Sequence, residues 1–104
     1  MKIVVDAMGG DLAPKVNVDG SIDALREFSD MEIVLVGPQE LVEKTIAEYA
    51  DQQAAASVKD RLTVVDAPEV ITTEEHPVMA LRRKKDSTFN VGMDIVRRKE
   101  AQAF

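Results

Sequence analysis

Ile3-Val4-Val5-Asp6-Ala7-Met8-Gly9-Gly10-Asp11-Leu12-Ala13-Pro14 decides how the rest of the chain is read. Three apolar residues break into paired glycines set between two aspartates, and a proline then opens an amphipathic segment. This is the pattern of a buried strand, a tight loop and a helix. Open α/β sheets bind their ligands at such junctions, outside the carboxyl ends of the strands. The run Ile3–Val5 does not alternate, so the strand is expected to be covered on both faces.

Outward from that stretch, Pro14 suits the first turn of a helix, where its missing N–H costs nothing. Val18, Ile22 and Leu25 repeat at helical spacing and Phe28 continues the stripe; Gly20 inside it weakens the helix or permits close packing. Residues 32–36 form a second strand stopped by Gly37-Pro38. Leu41, Val42, Thr45, Ile46 and Tyr49 mark one face of a second helix, with Glu40 and Glu43 near its start. Residues 51–60 are polar and alanine-rich, a helix tail or a mobile loop. Residues 62–65 read as a third strand, and 66–77 as a connection with two prolines. A short helix begins at Val78 and ends in Arg82-Arg83-Lys84-Lys85. Ser87 is placed to cap a further helix running to about Lys99, with Phe89, Met93 and Val96 along one face. Ala103-Phe104 opens another strand. Strand, helix, strand, helix, strand is parallel α/β architecture with right-handed crossovers. The expectation is the amino-terminal portion, residues 1–104, of a single larger α/β domain.

Composition narrows the function classes. The chain has 104 residues and no cysteine, which removes disulfides, thiolate metal sites and cysteine nucleophiles. No stretch has the length of a signal-peptide core or a membrane span, so a soluble, cytoplasmic protein is expected. The net charge of −6 is unevenly spread: residues 1–81 carry 6 Lys+Arg against 16 Asp+Glu, whereas residues 82–99 carry 7 Lys+Arg against 2 Asp. An acidic body with one basic segment argues against nucleic-acid binding, and suits a local anionic ligand or an acidic protein partner. The opening loop has neither the G-x-G-x-x-G nor the Walker pattern, so a nucleotide enzyme is unsupported. A non-catalytic α/β binding or assembly module remains the alternative to an enzyme.

Met1-Lys2-Ile3-Val4-Val5-Asp6-Ala7-Met8-Gly9-Gly10-Asp11, the Glu69-Val70-Ile71 region and Pro77-Val78-Met79-Ala80-Leu81-Arg82-Arg83-Lys84-Lys85-Asp86-Ser87 carry a resemblance when taken in that order. Over essentially its whole length the chain resembles the amino-terminal part of the PlsX-type phosphate acyltransferases of bacterial phospholipid synthesis. It departs from them mildly at Leu12, often Asn there, and at Ser87-Thr88-Phe89, usually Ser-Ser-Met. Members are much longer, and their Ser-Ala-Gly-Asn-Thr-Gly-like loop would begin just beyond Phe104. The resemblance implies a three-layer α/β/α sandwich similar to isopropylmalate dehydrogenase and phosphate acetyltransferase. It also implies transfer of a long acyl chain from acyl carrier protein to inorganic phosphate without a cofactor, in a homodimer associated peripherally with the membrane. The 104 residues alone are not expected to be active.

Phosphate is already a nucleophile, so such a reaction needs an anion held in place and an oxyanion stabilised, not a Ser-His-Asp relay. Gly9 and Gly10 could offer backbone N–H groups at close approach, or simply make a turn. Asp6 and Asp11 would repel phosphate directly. They suit orienting a cation, accepting hydrogen bonds from the loop or, at Asp11, capping the helix. Two carboxylates are fewer oxygen ligands than magnesium usually takes. Arg82, Arg83, Lys84 and Lys85 point in several directions on a helix; one or two could hold phosphate, others could meet an acidic carrier protein or the helix dipole. Ser87 could bind phosphate or cap the next helix. His76, the single histidine, is a candidate general base, although phosphate dianion hardly requires one.

Overall fold

The computed structural model describes residues 1–69, 79 and 84–104. Strands β1 (Lys2–Asp6), β2 (Glu32–Gly37) and β3 (Leu62–Asp66) form one parallel sheet in the order β1-β2-β3, with Val4 opposite Val34 and Val34 opposite Thr63. Helix α1 (Lys15–Glu27) links β1 to β2, and α2 (Gln39–Ala47) with α3 (Gln52–Ser57) links β2 to β3. Helix α4 (Thr88–Arg97) follows, and Ala103 then forms a parallel bridge with Ile3, on the side of β1 away from β2. The Val4 N–H donates to Ala103 O at 2.7 Å and the Gln102 N–H to Lys2 O at 2.9 Å. Of the strand expected at Ala103-Phe104, the structure shows this one bridge beside β1.

β2 shows why the sheet carries helices on both faces. Side chains alternate along a strand. Ile33 and Leu35 pack with Val18, Ile22 and Leu25 of α1 and with Val42 of α2, while Val34 and Val36 pack with Val4, Ala67, and Ile95 of α4. The non-alternating run is thus a strand between two apolar layers. β1 is covered less completely: Val4 is buried, and Ile3 and Val5 are half-buried.

Several expectations need correction. Phe28 is 48% exposed, because α1 ends before it and Phe28 occupies the extended C-cap position. Asp11 does not cap α1. Pro14, preceded by a cis peptide bond, holds the N-cap position, and no side chain accepts there. Residues 51–60 are neither a tail nor a loop. Asp51 caps α3 by accepting from the Ala54 N–H, and a 3₁₀ turn over Lys59–Arg61 leads into β3. Gly20 is not a close-packing glycine, since a Cβ there would touch nothing within 4 Å. The inward face of α4 is Thr88, Gly92 and Ile95; Phe89 and Met93 are nearly half exposed. Thr88 is tied to the end of β1, which turns positions i, i+4 and i+7 toward the sheet and rotates Phe89 and Met93 about 100° away. The short helix expected from Val78 lies outside the described residues except for Met79, which is helical.

Two long-range polar contacts complete the frame. Arg61 donates to the carbonyls of Leu25, Phe28 and Met31, covering the end of α1, where a cation also complements the helix dipole. Asp66, at the end of β3, accepts from the Gln39 N–H and caps α2 from outside it. Among the described residues no helix is long and apolar enough to cross a membrane.

Candidate functional site

β2 pairs with one side of β1, and Ala103 bridges to Ile3 on the other. In open α/β sheets ligands bind outside the carboxyl ends of the strands, where neighbouring connections depart to opposite faces. The loop that begins at Asp6 opens there.

β1 ends on Asp6, whose carboxylate joins two elements. Oδ1 accepts from the Met8 N–H at 2.9 Å and Oδ2 from the Thr88 hydroxyl at 2.9 Å. The glycine loop is thereby fixed against the first residue of α4. The Gly9 N–H approaches Asp6 O at 3.4 Å, and Gly10 has φ +91°, a conformation that favours glycine. Asn17, in the first turn of α1, directs the two hydrogens of its side-chain amide at three carbonyls, those of Asp6, Ala7 and Gly9 at 3.0, 3.1 and 2.7 Å, so that one hydrogen is shared. Among the described residues the Gly10 N–H has no acceptor.

On the facing side, Ser87 is fully buried and caps α4, its hydroxyl accepting from the Asn90 N–H at 3.2 Å. Its own N–H donates to Lys84 O, which also accepts from the Asn90 side chain. Glu69 forms a parallel bridge with Ser87 and accepts at its carbonyl from the Thr88 N–H and at Oε1 from the Asp86 N–H. The chain leaving β3 is thus pinned to the start of α4.

The sequence-derived residues separate accordingly. Gly9, Gly10 and Asp11 are exposed together in the β1–α1 loop, and Ser87 stands beside Thr88, which contacts that loop through Asp6. Lys84 is half-buried. Lys85 is exposed and lines a groove of about 680 Å³ along α4 with Asp86, Asn90, Asp94 and Arg97. Within that groove Arg97, by a hydrogen bond, and Arg98, by its charge, hold the Asp94 carboxyl below the usual carboxylate range. His76, Arg82 and Arg83 lie outside the described residues. Asp6 accepts from the glycine loop, one of the roles its position suggested. Asn17 and Thr88 were missed as site residues. The signal for Asn17 was an amide in the first turn after a glycine loop, where helical side chains lean back toward the N-terminus. Among the described residues no group of three or more His, Asp or Glu side chains could hold a metal ion.

A family model described as "Fatty acid synthesis protein" matches residues 1–104. Curated relatives bearing the name phosphate acyltransferase include one from Clostridium tetani, 47% identical over 98% of this chain, and one from Clostridium novyi, 43% identical over 99%. Another, from Alkaliphilus oremlandii, is 44% identical over 99% of the chain. In each case the aligned region is 29% of the relative's own length.

Proposed function

We propose, from the premise that this chain belongs to the fatty acid synthesis protein family, that it is the amino-terminal portion of a phosphate acyltransferase. The enzyme would move an acyl group from acyl carrier protein to inorganic phosphate. In the reaction an oxygen of hydrogen phosphate attacks the thioester carbonyl, a tetrahedral oxyanion forms, and the carrier's thiolate leaves as the carbonyl closes, taking up the proton that the phosphate gives up. The products are acyl phosphate and the carrier's free thiol. Nothing in this sequence of bond changes calls for a cofactor.

The observation that carries the reading is the open Gly10 N–H in a loop locked by Asp6 to Thr88, at the carboxyl end of β1. A preorganised amide suits a phosphate oxygen or a developing oxyanion, because it does not have to be reoriented as charge arrives. Gly9 and Gly10 bring the backbone close; Asp11, whose own charge repels phosphate, is assigned to orienting a cation from the Arg82-Arg83-Lys84-Lys85 run. Ser87 would act chiefly by capping α4. His76 has no step that requires it. The same cations give an acidic carrier protein a docking surface that weakens with salt. Residues 1–104 belong, in this reading, to one larger domain and do not turn over alone. The full-length protein is taken to be a cytoplasmic homodimer that touches the membrane peripherally.

The test uses the full-length protein with an acyl-carrier thioester and inorganic phosphate, following release of the carrier's free thiol. Release that depends on phosphate, with a raised phosphate requirement in the double variant Arg82→Ala and Arg83→Ala, is the expected result. Thiol release independent of phosphate, or none, overturns the reading.

A further inference from the structure

We infer that Asn17 is a positioning residue for the anion-binding amide, acting through the backbone of the β1–α1 loop; the inference rests on the reading just given. In a trans peptide the C=O and the following N–H point in opposite directions. Asn17 Nδ2 gathers three carbonyls, those of Asp6, Ala7 and Gly9, at 3.0, 3.1 and 2.7 Å. Holding these oxygens on one side fixes the three partner amides on the other. Two of those amides are spent within the fold: the Ala7 N–H on Val36 O at 2.9 Å, and the Met8 N–H on Asp6 Oδ1 at 2.9 Å. The third belongs to Gly10, and among the described residues it meets no acceptor.

Asn17 therefore does for the peptide planes what the loop cannot do alone. Glycine at positions 9 and 10 leaves the backbone free to rotate, and a free amide orients toward an anion only at an entropic cost. Asn17 removes that freedom without entering the crevice. Its anchor is helical, in the first turn of α1, so loop and helix move as one body. Neighbouring polar groups do not substitute for it. Asp6 accepts but cannot donate, and Ser21, one turn further, spends its hydroxyl on Asn17 O at 2.7 Å.

The experiment measures the full-length protein and two variants, Asn17→Ala and Asn17→Ser, the latter polar but too short to span three carbonyls. KM for phosphate, KM for the acyl-carrier thioester, kcat and thermal unfolding are recorded for each. The expected result is a rise of about tenfold in KM for phosphate with the thioester KM unchanged, since only the anion's donor is misaligned. Equal rises in both KM values, an unchanged phosphate KM, or failure of both variants to fold would mean a purely structural Asn17 and overturn the inference. If the unsubstituted protein shows no phosphate-dependent thiol release, the acyltransferase reading fails first and the inference falls with it.

Discussion

Between Asp6 and Lys15 the chain takes eight residues to pass from β1 to α1, whereas Pro38 alone separates β2 from α2. The two junctions lie side by side at the carboxyl ends of paired strands. The short one is closed by its own packing. A Cβ at Gly37 would stand 3.0 Å from Val42 Cγ2 and 3.2 Å from Ala7 Cβ, so helix and strand meet where only glycine fits without displacement. Asp66 then takes the Gln39 N–H. The long junction has no side-chain cap on α1; it turns its carboxylate inward, gathers its carbonyls under Asn17 and leaves the Gly10 amide open. The short junction turns the Gln39 N–H onto a carboxylate of the fold; the long one holds its acceptors back and leaves a glycine donor open.

Substitutions at the two junctions can break this contrast. The largest loss of stability is expected from Gly37→Val, about 3 kcal/mol by urea unfolding, because the buried neighbours Ala7 and Val42 cannot move aside cheaply. Under the proposed acyl transfer, the full-length protein that remains folded should keep its phosphate dependence. Asp6→Ala comes next, at about 2 kcal/mol, since two hydrogen bonds to a half-buried carboxylate are lost. Here turnover by the folded fraction of the full-length protein should fall as well, and full retention would separate the carboxylate from the site. Asp66→Ala should cost about 1 kcal/mol, the ordinary value of a lost cap, with phosphate dependence unmoved.

Two smaller effects sharpen the comparison away from the junctions. Lys99 follows α4 with φ 62°, its N–H donating to Val96 O and that of Glu100 to Ile95 O, the paired hydrogen bonds of a helix end that usually uses glycine. Lys99→Gly should raise stability by about 0.5 kcal/mol in thermal or urea unfolding, by relieving the left-handed backbone. Asp94 has a depressed pKa, so its contribution is present above the ordinary carboxylate range and is lost as pH falls through the depressed value. Asp94→Asn should therefore show a small deficit at neutral pH that closes in acid and shrinks in salt, as expected for an exposed pair.

The parts legible in the sequence were those settled by neighbours along the chain. The apolar run of β2, the Val18-Ile22-Leu25 stripe and the Ser87 cap each depend on residues within a turn or two. The parts that were not legible depend on residues far away. Phe89 and Met93 look like an inward face until Thr88 is drawn to Asp6 and rotates the helix. Arg61 reads as a surface cation, yet it holds carbonyls 30 to 36 residues earlier. Asp66 looks like a loop acid and caps a helix that precedes it. Asn17 looked like any polar position on an amphipathic helix, and its task became visible only once the loop carbonyls were in place. The glycine loop could be located from its pattern, but which amide it leaves open could not.

The hydrogen bond from Thr88 to Asp6 joins positions 82 residues apart. Helices α1 and α2 are the next helices after the strands they cover, and among the described residues the cluster on that face has ten buried members against six on the face under α4. Contacts between near neighbours in sequence form early, and a distant one must wait for the chain between to close. The contact between the loop and α4 is therefore expected to form late in folding and to open early, by lifting α4 while the sheet and α1 stay intact. In hydrogen exchange, the amides of α4 will lose protection before those of α1, and a ligand bridging the loop and α4 will slow that loss.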